Sequence, residues 1–381
     1  MKFKEGPMRF ADIPGHDDFK LKLINDFEQH RVPHAMMFLG QEGTAGLALA
    51  LAFAQYIHCT DRQAGDSCGV CPACAKTSKW VHPDLHFSFP TVSTGSGKPS
   101  ISNDFLEPWR TALTENPYLD YLSWIRRIAQ ENKQGNITVA ECHSIIKKLA
   151  LQSFESEYKI LVMWLPEYLG QAGNVLLKLI EEPPAKTLII LVSNDYNKII
   201  GTIRSRTQLF KIPQYTVEEI AEVLTQRGLE TSKANQLAYI VEGDLNEALS
   251  LMEGEAEDYT TAFRNWMQMC AGRKVPELMK WSDQQASTGR TANVNFLQQS
   301  LRILRECLAC KAIPDYRIKL TSEHHDFVKN FSQYIEYQHL EYAYEQINEA
   351  IYHIQRNANA KITLFDLSLK IKENLKSKTA A

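Results

Sequence analysis

Residues 158–194, "YKILVMWLPEYLGQAGNVLLKLIEEPPAKTLIILVSN", decide the fold. The two apolar runs, Tyr158–Leu165 and Thr187–Asn194, are short and partly β-branched, as expected of strands buried on both faces of a parallel sheet. Between them a helix is expected from about Glu167 to Glu182, stopped by Pro183-Pro184, because proline lacks the N–H that the helical ladder needs.

The same alternation holds upstream. Residues 16–29 place Phe19, Leu23, Ile24 and Phe27 on one helical face, Met36–Gly40 reads as a buried strand ending at a glycine turn, and Leu47–Ile57 is an alanine- and leucine-rich helix. Residues 137–150 form an amphipathic helix. Strands alternating with helices call for a parallel sheet covered on both faces, an α/β fold. "TVSTGSGKPS" (91–100) is a loop opening a tryptophan-bearing insertion of about 91–135 with some helix of its own. After Pro213 the pattern changes: Thr216 and Glu219 form a capping box, and everything beyond reads as helix. The expected organisation is an α/β core at 1–212, a small helical domain at 213–255 and a larger helical domain at 256–381.

Composition sets outer limits. A chain of 381 residues, 44% hydrophobic and 23% charged, is globular and suits two or three domains. The opening MKFKEGPMRFADIPGH lacks the apolar centre of a signal peptide, and no run approaches the roughly 20 apolar residues of a membrane span, so a cytoplasmic protein is expected. A net charge of −3 gives no overall attraction to nucleic acid, so any DNA contact would rest on a local basic face or on partner subunits.

Four of the eight cysteines, Cys59, Cys68, Cys71 and Cys74, fall within sixteen residues. In a reducing compartment such a cluster implies metal rather than disulfides. Four soft thiolates, with Gly65, Gly69 and Pro72 to turn the chain, match the tetrahedral needs of a structural Zn2+. His58 and His82 flank the cluster and are expected to be solvated or to support it, since four cysteines complete the ligand set. Cys307 and Cys310, three residues apart on a helix, read as core packing.

"FLGQEGTAGLALALAFAQYIHC" (38–59) has the strand, glycine turn and helix of a phosphate-binding loop. A working loop also needs a lysine for the β- and γ-phosphates and a Ser/Thr for magnesium. Aligned on Gly40 and Gly43, the lysine position holds Gly46 and the hydroxyl position Leu47. Taken alone, the stretch is equally compatible with an ordinary strand-to-helix turn. Gly95-Ser-Gly-Lys98 imitates the end of such a loop, but Pro99 follows and no strand leads in, so it reads as a flexible connection.

Residues 159–213, from "KILVMWLPEYLG" through "LLKLIEEPP" to "TIRSRTQLFKIP", resemble the AAA+ core of bacterial clamp-loader subunits. With "RVPHAMMFLG" (31–40) and "ADIPGH" (11–16), the similarity covers about the first 250 residues. The resemblance implies an AAA+ parallel-sheet domain with a zinc module after its first helix, then a helical lid, then a C-terminal helical collar that oligomerises. It also implies the DNA polymerase III holoenzyme as setting. The partners would be gamma/tau ATPase subunits and a delta subunit, with the sliding clamp and primer-template DNA reached through the complex and no membrane.

In the ATP-hydrolysing relatives an Asp-Glu box follows the strand that here ends in Trp164 and Leu165, and "EGDLNEAL" (242–249) carries Asn246 where a second sensor has arginine. The resemblance therefore implies a subunit that keeps the fold and hydrolyses no ATP itself. "TIRSRTQ" (202–208) matches a Ser-Arg-Cys motif whose arginine projects into a neighbour's ATP site. That implies a trans arginine finger at Arg206, with Ser205 beside it and Thr207 in place of the usual cysteine. Two other functions compete. An active gamma/tau-type ATPase would need a lysine at 46, a hydroxyl at 47 and acids at 164 and 165; a zinc-ribbon nucleic-acid binder fits poorly with near-neutral charge.

Overall fold

The apolar runs that open the sequence argument are adjacent strands of one five-stranded parallel sheet in a computed structural model. It describes residues 8–63, 65–95, 99–129, 133–254, 258–272 and 275–376. MKFKEGP at the start, Ser96–Lys98 of the loop that imitates a phosphate site, and the expected boundary at 255/256 lie outside these residues.

The strands are β1 (Ala35–Leu39), β2 (Leu85–Ser88), β3 (Lys159–Trp164), β4 (Thr187–Ser193) and β5 (Gln208–Lys211), in the order β2-β3-β4-β1-β5. Helices α1 (Asp17–Glu28), α2 (Gly46–His58), α3 (Pro72–Thr77), α4 (Leu106–Glu115), α5 (Tyr121–Ile128), α6 (Val139–Ala150), α7 (Leu177–Glu181) and α8 (Gly201–Arg204) surround or connect them. β3 and β4 are buried along their whole length. Side chains alternate between faces with a period of two. Phe38, Ile160, Val162, Trp164, Ile190 and Val192 join one core with α2, whereas Met37, Leu161, Met163, Ile189 and Leu191 join another with α6.

Three local features depart from the sequence expectation: one expected helix is broken, and two strands went unread. The crossover from 167 to 182 is not one helix: a 3-10 stretch, Pro166–Leu176, is broken at Gly170 (φ 49, ψ −135), and only Leu177–Glu181 is α-helical. Gly173 there is packed so tightly that a Cβ would lie 2.9 Å from Ile203 Cδ1. The second and third concern β2 and β5, strands that the apolar runs do not announce. Both are four residues long, and β5 buries only Phe210.

Beyond β5 the chain is helical: α9 (Val217–Gln226), α10 (Thr231–Ile240) and α11 (Leu245–Glu253), then α12 (Tyr259–Ala271), α13 (Val275–Ser287), α14 (Arg290–Ala312), α15 (His325–Tyr334), α16 (Tyr337–Gln355) and α17 (Ala360–Lys376). The capping box at α9 forms as expected, Thr216 Oγ1 accepting from the Glu219 N–H (3.2 Å) and Glu219 Oε2 from the Thr216 N–H (2.8 Å). The chain divides into two compact units, Met1–Ala129 with Gly135–Gly254, and Gln130–Gln134 with Glu255–Ala381. Helices α9–α11 thus belong to the unit that holds the sheet. The second unit has its own core, including Phe263, Trp266, Leu297, Leu304, Cys307, Ile347 and Leu364. Phe331 packs against Phe263 in that core, while Tyr334, Tyr337 and Tyr344 are exposed. Among the described residues no helix is long and apolar enough to cross a membrane.

Candidate functional site

β1 feeds the 40–46 loop, and α2 starts at Gly46. The glycines here are required by the chain's own packing. Gly43 has φ +76, and a Cβ on it would lie 1.9 Å from Asp244 Oδ1 at the start of α11; a Cβ on Gly40 would lie 2.3 Å from Thr44 Oγ1. The Gly43 carbonyl accepts from the Leu245 N–H at 3.2 Å. Tyr118, Leu119 and Trp164 line the space beside the loop together with Gly40, Gly43 and Gly46. The space left to the centre of a water molecule is about 20 Å³, room for one or two waters.

Trp164 and Leu165, at the positions where the resemblance expected acids, are both buried. The Trp164 ring lies 5.3 Å from that of Trp109, which stacks on Phe89 at 4.2 Å and meets Trp124 edge-on at 5.1 Å. Trp109 and Trp124 come from α4 and α5 of the insertion, so the insertion supplies the apolar packing around the end of β3. Asn246 donates through Nδ2 to Asp120 Oδ2 (2.9 Å) and accepts at Oδ1 from Asn116 Nδ2 (2.5 Å).

The nearby charge is acidic. Asp244 caps α11 by accepting from the Glu247 N–H at 2.8 Å. Burial, opposed by that hydrogen bond and reinforced by the charges of Glu247, Glu42 and Asp120, pushes its carboxyl up to about 7. A phosphate brought here would meet carboxyl groups that burial keeps from ionising, and its own charge would raise their hold on the proton further.

Arg206 follows α8 at the other end of the core. Its Nε donates to Glu181 Oε1 (2.6 Å) and its Nη1 to the Thr202 carbonyl (2.9 Å) and Ser205 Oγ (3.3 Å), with about a third of the side chain exposed. Arg204 does not share its direction: the segment is helical rather than extended, and the Arg204 guanidinium lies 4.8 Å from the centre of the Tyr196 ring. Thr207 Oγ1 donates to the Ile203 carbonyl (3.1 Å), so it shapes the turn.

The four clustered cysteines converge, all four Sγ atoms lying within 4.8 Å of one another. Cys59–Cys68, Cys59–Cys71 and Cys68–Cys74 are separated by 3.6, 4.0 and 4.0 Å. A tetrahedron with metal–sulfur bonds of about 2.3 Å has edges of about 3.8 Å, so the donor set fits a tetrahedral thiophilic ion. Backbone N–H groups of Cys68, Cys71 and Cys74 point at Cys59, Cys68 and Cys71 sulfurs at 3.3–3.4 Å, an arrangement that favours thiolates. His58 and His82 are not solvated: both are buried and their rings stack at 4.1 Å, with His58 Nε2 bonded to the Tyr158 carbonyl. Asp84 accepts from the N–H groups of Phe154, Glu155 and Ser156, and Lys76 pairs with Glu155, fastening the module to the 154–156 loop.

Asn116, Tyr118, Leu119 and Asp120 were not candidates on sequence. The break "ENPYLD" between two helices marks a turn, and nothing local says what the turn touches.

The family described as "DNA polymerase III, delta subunit" matches residues 15–216. Among curated relatives, the DNA polymerase III subunit gamma/tau of Mycoplasma pneumoniae is 26% identical over 257 residues, covering 66% of this chain and 31% of that protein. The DNA polymerase III subunit delta' of Escherichia coli is 24% identical over 285 residues, covering 69% of this chain and 71% of that one. Its Bacillus subtilis counterpart is 24% identical over 234 residues, with 61% and 58% covered. The chain spans about a third of the length of the gamma/tau relative.

Proposed function

The chain belongs to the DNA polymerase III, delta subunit family, and from that premise we propose that it is a non-hydrolysing, delta-prime-type clamp-loader subunit. In this reading it works in the cytoplasm within the polymerase III complex, beside gamma/tau and delta subunits. It presents Arg206, steadied by Ser205, to a neighbour's ATP while the sliding clamp is loaded on primed DNA, and it hydrolyses none itself. Residues 213–255 act as a lid-type layer and 256–381 as the oligomerising collar. Cys59, Cys68, Cys71 and Cys74 hold a structural Zn2+, which supplies cross-linking of the module and no open coordination site.

The observation that carries the reading is the phosphate loop filled by Tyr118, Leu119 and Trp164. The gamma/tau relatives are as similar in sequence as the delta' ones, which favours an active ATPase as the second reading. Against it stand Gly46 and Leu47 in the loop and the apolar packing of Trp164.

A rigid guanidinium stabilises charge on a transferring phosphoryl group by roughly 10³ to 10⁵ in rate. To act in this way Arg206 exchanges its Glu181 carboxylate for phosphate oxygens, one anion for another. In a loader reconstituted with its own gamma/tau and delta subunits, Arg206→Ala is expected to assemble normally and to cut turnover at the site it serves by roughly 10³-fold. Unchanged turnover removes the finger assignment, and Mg-ATP hydrolysis by the lone chain overturns the non-hydrolysing reading.

A further inference from the structure

We infer that residues 116–121 are an internal plug: a turn of the chain's own insertion takes the place of a ligand above the 40–46 loop and fastens α9–α11 to the sheet without any nucleotide. The inference deepens the reading above and rests on it in taking 40–46 as a vacated phosphate loop.

The plug is the connection between α4 and α5, and its two ends close on one side chain. Asn116, the first residue beyond α4, donates to Asn246 Oδ1, and Asp120, which caps α5, accepts from Asn246 Nδ2. One carboxamide in α11 thus satisfies a donor at one end and an acceptor at the other. The turn is also internally fixed: Asn116 Oδ1 accepts from the Tyr118 N–H (2.9 Å), and Asp120 Oδ1 from the Ser123 N–H (2.8 Å). Between these ends Tyr118 is buried, its hydroxyl 3.3 Å from that of Tyr215, whose ring lies 4.7 Å from His16. Tyr121, closing the turn, stacks flat on Tyr168 at 4.3 Å. The turn therefore touches the loop, the segment leading into α9, the crossover after β3, and α11.

Such a connection does what a bound ligand does elsewhere. A ligand that contacts two elements raises the free energy of separating them, and a covalently tethered one does so at high effective concentration. The expected property is a constitutive posture: α9–α11 do not respond to nucleotide, because the contacts that a nucleotide would make are already made.

Hydrogen exchange on the full chain tests this. In Asn246→Ala, amides in Val217–Glu253 and in 116–121 are expected to exchange at least about tenfold faster, with those of β3 and β4 unchanged within about twofold. Tyr118→Phe, which removes the contact with the Tyr215 hydroxyl, should act in the same regions to a smaller extent. No change in either variant, or equal acceleration throughout the first unit, overturns the plug. So does protection of wild-type 116–121 that changes when Mg-ATP is added. Hydrolysis by the lone chain with an unmoved plug would instead sink the non-hydrolysing reading alone, so the two failures are distinguishable.

Discussion

Asp244 shows how far a single residue's role depends on what folds against it. Its carboxyl rises from 3.8 unfolded to about 7 in the fold, so the native state holds the proton more tightly than the unfolded chain. Its stabilising contribution is complete below about pH 4 and is lost as pH rises through about 7. Glu42, pushed up to about 7 by burial, titrates in the same window, so the effect of Asp244 is read from the difference between wild type and a variant, whereas Asp84, held below the ordinary value by the three N–H groups it accepts from, acts at lower pH. Asp244→Asn keeps the helix cap and removes the titration. The urea midpoint of the variant should therefore gain on wild type as pH rises from about 5 to about 7.5; a constant difference would show that Asp244 does not titrate there. At this scale the sequence was legible only in part. Gly40, Gly43, Gly46 and Leu47 are visible as letters, but a glycine that admits phosphate and one that admits Asp244 look the same until the chain is folded.

Among elements, long apolar runs were legible and short mixed ones were not. β3 and β4 follow from their composition because burial on both faces leaves no room for polar residues. β2 carries His86 and Ser88, and β5 is mostly exposed; each is a strand because a neighbour pairs with it. The crossover breaks at Gly170, which has φ > 0 where a helix would need φ < 0. The cysteine module was legible because spacing alone brings donors together. If a metal holds it, chelation should accelerate amide exchange in Cys59–Thr77 at least about tenfold and spread through Lys76–Glu155 into 154–156, leaving Thr187–Ser193 unchanged. Intact protein should weigh one zinc more per chain under native than under denaturing conditions. Equal exchange with and without chelator argues against a structural ion.

Across the whole molecule, the first unit is built on the sheet and the second on helices alone, each with a core of its own. The loss of strand signal after β5 was legible from the change of period at Pro213. The membership of α9–α11 in the sheet-bearing unit was not, because contacts such as Asn246–Asp120 join residues 126 positions apart. Separate cores predict separate responses. Trp266 is fully buried, stacks on Trp281 at 5.1 Å and donates to Ser368 Oγ at 2.9 Å. Trp266→Ala should lower the stability of the second unit by roughly 3–5 kcal/mol and leave the exchange of β3 and β4 amides unchanged. A matching loss in those strands would mean that the two cores unfold as one.

The indole at the end of β3 makes the present state hard to leave. Placing an acid at position 164 by one substitution would strand a charge against the Trp109 ring, itself packed on Phe89 and Trp124, and open a void where the indole had been. Removing the insertion first would take Trp109 and Trp124 away and leave Phe89 and Trp164 without the rings they pack against. Either change thus passes through a less stable protein, so the packing itself holds the end of β3 apolar.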